Sequence, residues 1–541
     1  MSTRIPGALA GTAAGALTLG VAELLAVVMS RTTATSGTPS PLLAVGGAFV
    51  DLTPAWLKDF AVATFGTNDK IALFAGMGLT LLIACAALGV LSLRRLPLGL
   101  GLYGLVGLVG VLAVLSRPGS GAFDPWPTAI GVAVGLGVLR WLALRASALA
   151  EPSVADGRGE AAPLGEVQPG QAQQSGAAPR ADASRRRVLA WGGGLTVLGV
   201  IGTYVGRTFN EAGEAVQVAR AQVSERLAAA RGQGLPVSVP ADADFGLPGL
   251  ASYVSPNDGF YRIDTALSVP QLRPEDWSLR VHGMVDEEIV MSFDEFLDEA
   301  LIDTVVTLCC VSNPVGGDLI GNAVWTGWPI RELLARAGVS PDADMVLSTS
   351  SDGFTAGTPL EVLTDGRDSI FAVLMNGEPL PAQHGFPVRM VVPGLYGYVS
   401  ATKWVVDLKV TRFDADQGYW TPRGWSALGP IKVQSRIDVP ATGAGLDAGP
   451  TVIAGVAWDQ HTGIEKVEVR VDDGDWMEAD LSGEVSINTW RQWRVDWDAP
   501  AGDHTIAVRA TNADGETQTQ ELAPVAPDGA TGWHTIDVTA S

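Results

Sequence analysis

Five stretches of this chain, residues 6–29, 71–93, 97–116, 126–144 and 188–205, are apolar and hold almost no charge. Each comes close to the roughly 20 residues that a helix needs to cross a bilayer. All are rich in Gly, Ala, Leu and Val, a composition that lets helices pack closely in lipid. Buried helices of a soluble core keep a polar face, and these stretches scarcely do. Residues 1–145 are therefore expected to form a helical membrane bundle of four spans, with a fifth span inside residues 185–207.

Arginine sets the direction of the spans, because short cytoplasmic loops collect Lys and Arg. Arg4, the pair Arg94 and Arg95, Arg145, and the run Arg185, Arg186 and Arg187 all fall on one side of alternating crossings. That side is the cytoplasm, and everything after Arg207 is extracytoplasmic. Residues 31–70 make an outer loop whose Trp56, Phe60 and Phe65 could lie flat at the interface. Glu23, near the outer end of the first span, reads as a side chain snorkelling to the surface. Residues 146–184, rich in Ala, Gly, Pro, Gln and Ser, read as a flexible cytoplasmic linker. They lead into Ser184-Arg185-Arg186-Arg187-Val188-Leu189, a string similar to a twin-arginine export signal, although an ordinary basic anchor has the same arginines. Such a signal serves a domain that folds around a noncovalently held cofactor before it is exported.

The two parts differ in charge. Up to Arg207 there are 15 Lys and Arg against 10 Asp and Glu, whereas the following 334 residues carry a net −27. So acidic a surface repels phosphate backbones and excludes nucleic acid as a partner. Three cysteines, Cys85, Cys309 and Cys310, are too few for a disulfide framework or a four-cysteine cluster. All five histidines lie in the acidic part, so the membrane region cannot hold a bis-histidine haem. Neither haem nor an iron–sulfur cluster is expected.

Beyond the last span, residues 208–249 read as a helical stalk, standing off the membrane, and a loop. Residues 250–440 mix short strands with helical spacing at 292–301 and 328–337, which predicts an α+β domain. Residues 441–541 alternate differently. Val467, Val469 and Val471, then Trp493, Val495 and Trp497, then Ile506, Val508 and Ala510 occupy every second position, with Asp-Gly turns between them. This predicts an immunoglobulin-like β-sandwich.

Three segments of the α+β region carry chemistry: Ser255-Pro256-Asn257-Asp258-Gly259-Phe260-Tyr261-Arg262; Thr307-Leu308-Cys309-Cys310-Val311-Ser312-Asn313 with Gly321-Asn322-Ala323-Val324-Trp325-Thr326-Gly327; and Met375 to Pro381 with His384-Gly385-Phe386-Pro387-Val388-Arg389, followed by Lys403-Trp404. With Gly418-Tyr419-Trp420 and the trailing sandwich, they resemble the sulfite oxidase family of molybdopterin enzymes. The resemblance implies a molybdenum–molybdopterin cofactor with Cys310 as the protein's thiolate ligand. A thiolate suits a metal that cycles between high oxidation states. Cys309 reads as a buried small hydrophobe. His384, Arg389 and Lys403 match positions that hold the pterin phosphate, and Asn257 and Tyr261 match pterin contacts across a gap. Gly394 and Gly397 would let backbone approach the cofactor. The resemblance further implies oxygen-atom transfer to or from a small oxo acceptor or donor, electron exchange with a separate protein or quinone, and a homodimer through the sandwich. One departure bears on the substrate: Asn313-Pro314-Val315-Gly316-Gly317-Asp318 lacks the arginines that receive an anion in sulfite-oxidising members. Arg262 and Arg423 are the candidates to compensate, and an S-oxide or N-oxide reductase stays open. A rival of another class is a nonenzymatic envelope adhesion protein built on the sandwich.

Two outcomes test the layout. Reporter fusions at residues 165 and 235 should report opposite sides of the membrane, and agreement between them would refute the span count. Changing Arg185, Arg186 and Arg187 together to lysine should block delivery of the folded domain. Continued accumulation of metal-loaded protein on the outer face would reduce the string to an anchor.

Overall fold

The computed structural model describes residues 4–30, 39–54, 57, 64–65, 69–117, 120–148, 193–203, 214–230 and 239–541. The chain divides into two compact units, Met1–Ala212 and Gly213–Ser541.

The first unit is helical: α1 (Arg4–Ser30), α2 (Pro41–Leu52), α3 (Asp69–Arg94), α4 (Leu96–Leu115), α5 (Trp126–Ala148) and a short α6 (Gly193–Thr203). Among the described residues, α1, α3, α4 and α5 are long and apolar enough to cross a membrane. Small residues let α1 pack against several neighbours at once. A Cβ on Gly11 would fall 1.8 Å from the Cys85 carbonyl oxygen of α3, and one on Gly199 of α6 would fall 2.3 Å from the Ala16 carbonyl carbon. Only glycine permits backbones to meet so closely. Leu79, Leu82 and Ile83 of α3 and Leu105, Val109 and Leu112 of α4 remain exposed on the outside of the bundle, as lipid-facing side chains do.

One expectation changes here. Glu23 does not reach for the surface; it is only 3% exposed and accepts hydrogen bonds from Ser40 Oγ at 2.9 Å and Leu42 N at 3.2 Å. It caps α2, a helix inside the expected outer loop, because the unpaired N–H groups and dipole of a helix start favour a carboxylate. The described part of the fifth apolar stretch is the 11 residues of α6. The twin-arginine string, the linker from 149 to 184, Trp56 and Phe60 lie outside the described residues.

The second unit has four sheets. A five-stranded sheet runs in the order β2 (Ile289–Ser292), β1 (Ser278–Gly283), β10 (Val405–Thr411), β5 (Met345–Ser350), β6 (Thr355–Pro359), with β1 parallel to β10. A second sheet joins β3 (Ile302–Cys309), β4 (Ile320–Pro329), β7 (Ile370–Met375) and β8 (Glu378–Pro379), and β9 (Arg389–Val391) pairs with β7. Helical spacing at 292–301 becomes the single turn α8 (Phe293–Leu297), held by a capping box between Ser292 and Glu295. The spacing at 328–337 becomes α9 (Ile330–Ala337), which ends at the left-handed Gly338. Trp277, Phe293, Phe296, Trp328 and Phe371 fill the core between them.

The sandwich consists of the sheets β11 (Gln434–Val439), β13 (Gly449–Trp458), β17 (Arg491–Ala499), β16 (Asp480–Leu481) and β12 (Gly445–Leu446), β19 (His534–Ala540), β18 (Gly502–Asn512), β14 (Ile464–Val471), β15 (Met477–Glu478). The alternating Val467, Val469, Trp493, Val495, Ile506, Val508 and Ala510 all point into its core. It begins at β11 rather than at 441, because β11 pairs with β13. Residues 242–251 also bond to it, through Asp242, Phe245 and Ala251, so they belong with the sandwich rather than with a free loop.

α7 (Glu214–Ala230), expected as a stalk, instead lies on the α+β domain. Val216, Ala219, Val223 and Leu227 join its core, and Arg220 Nη2 donates to the Pro379 carbonyl at 2.8 Å. Residues at i, i+3, i+7 and i+11 form a stripe that a helix standing alone would leave wet.

The free edge of β3 is closed by the sandwich. Thr307 N donates to the Asn488 carbonyl, Gln460 Nε2 donates to the Thr307 carbonyl, and Trp490 N donates to Thr307 Oγ1 at 2.8 Å. The same hydroxyl donates to Asn322 Oδ1 at 2.9 Å. Thr307→Val keeps the shape and strips both bonds, leaving buried groups unpaired at about 1–3 kcal/mol each. A clear fall in the denaturation midpoint is expected; an unchanged midpoint would show that this contact does not hold the edge.

Candidate active site

Cys310 is the first residue past β3, and residues 310–319 loop back to β4. Because side chains alternate across a strand, the two adjacent cysteines face different surroundings. Cys309 packs with Tyr253, Val305, Val311, Ile320 and Tyr396, and burial pushes its thiol well above the usual range. This is the environment of the small hydrophobe expected there. Cys310 is also buried, which raises its thiol, but the Ser312 N–H, 3.4 Å from Sγ, and the charge of Lys403 pull it back toward the thiolate.

The first segment lies across β4. Ser255 N donates to the Asn322 carbonyl and Asn322 N to Ser255 Oγ, which sets Phe260 against Gly321. A side chain at Gly321 would strike that ring, its Cβ 2.7 Å away. Phe260 then stacks on Tyr261 at 5.2 Å and meets Trp325 and His384 edge-on. Asn257 accepts a bond from Asn376 Nδ2 at 2.8 Å and donates to the Met375 carbonyl at 3.2 Å, so its side chain ties this segment to the turn after β7. Its backbone meets the His384 imidazole. Tyr261 lies within the fields of Cys310 and Arg389, and burial holds its hydroxyl well above the usual range.

The third segment supplies positive charge. Arg389, 5% exposed, lies over the Trp325 ring at 5.0 Å and donates to the carbonyls of His384 and Met390. No carboxylate pairs with it among the described residues, and burial lowers its guanidinium to about 10. Lys403 Nζ donates to Asp264 Oδ2 at 2.7 Å and to the Gln383 carbonyl at 3.1 Å; burial lowers it to about 8 against the pull of Asp264. Trp404 takes the left-handed region at φ 51°, and its indole donates to the Ala382 carbonyl, which binds this corner to the turn carrying His384. His384 is 1% exposed, its Nε2 has no hydrogen-bond partner, and burial with the charges of Arg389 and Lys403 pushes the imidazole down to about 3. It stays neutral at any ordinary pH.

Cys310, Tyr261, His384, Arg389, Lys403 and Arg262 thus share one electrostatic neighbourhood. Arg262 joins it through Asp264, whose Oδ2 accepts from Nε at 2.9 Å. Asp264, missed in the sequence, is the carboxylate that Arg262 and Lys403 share. Its spacing two residues after Arg262 was the available signal. Among the contacts of Arg423, its guanidinium is 3.7 Å from the Tyr419 ring centroid, in an aromatic group with Trp420 and Trp425. Gly394, expected to admit the cofactor, faces Arg367 and His461 instead, and a Cβ there would lie 3.1 Å from each. Asp318 is exposed to solvent.

The donor set fits an anionic, sulfur-ligated cofactor. A buried guanidinium without a carboxylate and a buried imidazole nitrogen without a partner are both costly unless a ligand completes them. They share a neighbourhood with a thiol that burial holds above its usual range, an effect that the Ser312 N–H and Lys403 only partly offset. Molybdopterin, with its phosphate, would be held by Arg389, Lys403 and His384, and its metal by Cys310.

Comparison with known proteins identifies the family of this domain. Residues 266–420 match the family described as oxidoreductase molybdopterin binding domain, and residues 434–508 match the bacterial Ig domain. The mitochondrial sulfite oxidase of Rattus norvegicus is 28% identical over 323 residues, covering 51% of this chain and 59% of that protein. The chain therefore spans about three fifths of the length of such curated relatives. The uncharacterized oxidoreductase YuiH of Bacillus subtilis is 32% identical over 153 residues, 28% of this chain and 74% of that protein. Among solved structures, the sulfane dehydrogenase SoxCD from Paracoccus pantotrophus aligns with a TM-score of 0.46 at 23% identity, covering 57% of this chain and 90% of that one. An oxidoreductase domain sets aside the reading of a nonenzymatic adhesion protein, and the chain belongs to the sulfite oxidase family of molybdopterin-dependent oxidoreductases.

Proposed function

We propose that this protein is a membrane-anchored oxidoreductase of the extracytoplasmic face that moves an oxygen atom to or from a small substrate and exchanges two electrons with a separate protein or quinone. The single observation that carries the reading is the buried Arg389, which has no carboxylate partner among the described residues and stands beside the unpartnered His384 Nε2. When bound, molybdenum on molybdopterin supplies oxygen-atom transfer coupled to a two-electron change. This chain's own residues hold and orient that group. Arg389 and Lys403 balance its phosphate, His384 supports it as a neutral donor or acceptor, and Cys310 contributes a thiolate that metal binding would keep deprotonated. Asn257 and Tyr261 close the pterin side. The four long apolar helices and the run of arginines before the fifth apolar stretch favour an anchor with the acidic units outside.

The substrate reading follows from charge. Asp264 offsets one of the two cations it touches, and no arginine stands in residues 311–319. A dianion would lose charged hydrogen bonds of about 1.5–3 kcal/mol each, or roughly tenfold or more in affinity per contact. A neutral or zwitterionic substrate, an S-oxide or N-oxide, suits the site better than sulfite. Arg262 and Arg423 are the residues that could reverse this.

Three measurements follow. Cys310→Ser should abolish turnover in a folded chain, while Cys309→Ser keeps activity and metal; the opposite pattern would exchange their roles. Steady-state assays with sulfite and an artificial acceptor should give weak turnover. Efficient oxidation at micromolar sulfite, lost in Arg262→Met or Arg423→Met, would overturn the substrate assignment and identify the anion clamp. For pH, the depressed Lys403 loses its proton as pH rises through about 8, so its attraction for a phosphate is present below that pH and lost above it. Pyrophosphate binding to cofactor-free protein should weaken between about pH 7 and about pH 9.5, and Lys403→Met should flatten that dependence. A profile unaltered by Lys403→Met would remove this lysine from the anion site.

A further inference from the structure

The loop that follows Cys310 is closed at its neck and held at its tip by different parts of the chain. At the neck, Cys310 N donates to the Leu319 carbonyl at 2.9 Å and Asn313 N to the Cys310 carbonyl at 3.0 Å. The Asn313 carboxamide oxygen then accepts from Leu319 N at 2.9 Å, bracing the loop across its width. The turn from Pro314 to Gly317 is packed onto that brace, since a Cβ on Gly317 would lie 2.4 Å from Asn313 Oδ1. Every link so far is local to residues 310–319.

The tip is held by the sandwich. Arg436, on β11, donates from Nη1 to the Gly317 carbonyl at 2.9 Å. Its other edge is committed to Asp438, with Nε to Oδ1 at 2.6 Å and Nη2 to Oδ2 at 3.3 Å. Both side chains are about nine-tenths covered. Asp438 also accepts from Ala251 N at 3.0 Å, so the fork cannot swing without breaking a third bond. Beside it, His534 of β19 accepts from Ile437 N at 2.9 Å and lies flush on Gly316, where a Cβ would be 2.3 Å from the ring. Gly316 sits at φ 74, so the tip conformation needs glycine for its backbone as well as for the space.

We propose that Arg436 is a positioning residue for Cys310, and that the immunoglobulin-like domain is thereby a working part of the active site. The proposal rests on the reading of Cys310 as the metal ligand. The guanidinium grips the Gly317 carbonyl from a base made rigid by Asp438. Through Gly317 and Asn313 that grip sets the neck, and with it the Ser312 N–H that points at Cys310 Sγ. A lysine could reach the carbonyl or the carboxylate but could not span both, because only the planar fork presents donors on two edges.

Hydrogen exchange on the full chain, together with alkylation of Cys310 in a cofactor-free Cys309→Ser background, tests this. In Arg436→Gln the amides of Gly317 and Leu319 should exchange at least about tenfold faster and Cys310 should alkylate faster, while the β13 and β17 amides keep their protection. Arg436→Lys should fall between Gln and wild type. In loaded enzyme, kcat should drop with metal content unchanged. If Arg436→Gln disrupts the sandwich, Gly316→Ala decides from the loop side: faster loop exchange over an intact sandwich supports the proposal. Wild-type loop exchange and alkylation in these variants would overturn it. Wild-type protein that carries no molybdenum would instead sink the reading of Cys310 as a ligand while leaving the exchange result standing.

Discussion

A guanidinium buried with no carboxylate partner among the described residues is the constraint around which the catalytic unit is arranged. Arg389 has a tryptophan face and two carbonyls for company, none of which cancels its charge. Such a group is tolerated only where the surrounding structure holds it and a ligand completes it. The turn of His384, the corner at Lys403 and Trp404, and the segment carrying Phe260 and Tyr261 all converge on it. Asp264 limits the accumulation by taking two cations at once. A strongly acidic part of the chain thus keeps a locally positive cluster, which favours a bound anionic group.

The sandwich enters this arrangement through hydrogen bonds rather than through chemistry of its own. Asn488, Gln460 and Trp490 finish the edge of β3, the strand that ends just before Cys310, and Arg436 and His534 meet the loop that follows. An edge strand left open would present unpaired backbone groups to any passing chain. Covering it with a second domain also stiffens the strand from which the thiol projects. The same economy appears in the helical unit, where Glu23 occupies the start of α2 and small residues bring α1 against its neighbours.

Much of this was legible in the residues alone. Apolar length without a polar face announced four helices long enough to cross a bilayer, because lipid imposes that pattern on every helix it surrounds. Period-two alternation located the strands of the sandwich, whose core is built from those same valines and tryptophans. The spacing around Cys310, His384, Arg389 and Lys403 identified the family, since the chemistry requires a thiol and cations at set places in order. These are local signals, carried by neighbours in the chain.

What the sequence could not convey depends on pairs far apart in it. Glu23 and Ser40, Arg220 and Pro379, Asp264 and Lys403, and Gly317 and Arg436 are separated by between 17 and 159 residues. A lone glutamate in an apolar span reads as a snorkelling charge until a helix start is placed over it. An amphipathic stripe on a short helix reads as a stalk until a core is found for it. The sequence by itself determined which residues are apolar, which can ionise and how they repeat, and these settle element type and family. Only the tertiary structure decided which charges meet, because the cost of burying an ion falls only when its partner arrives through space.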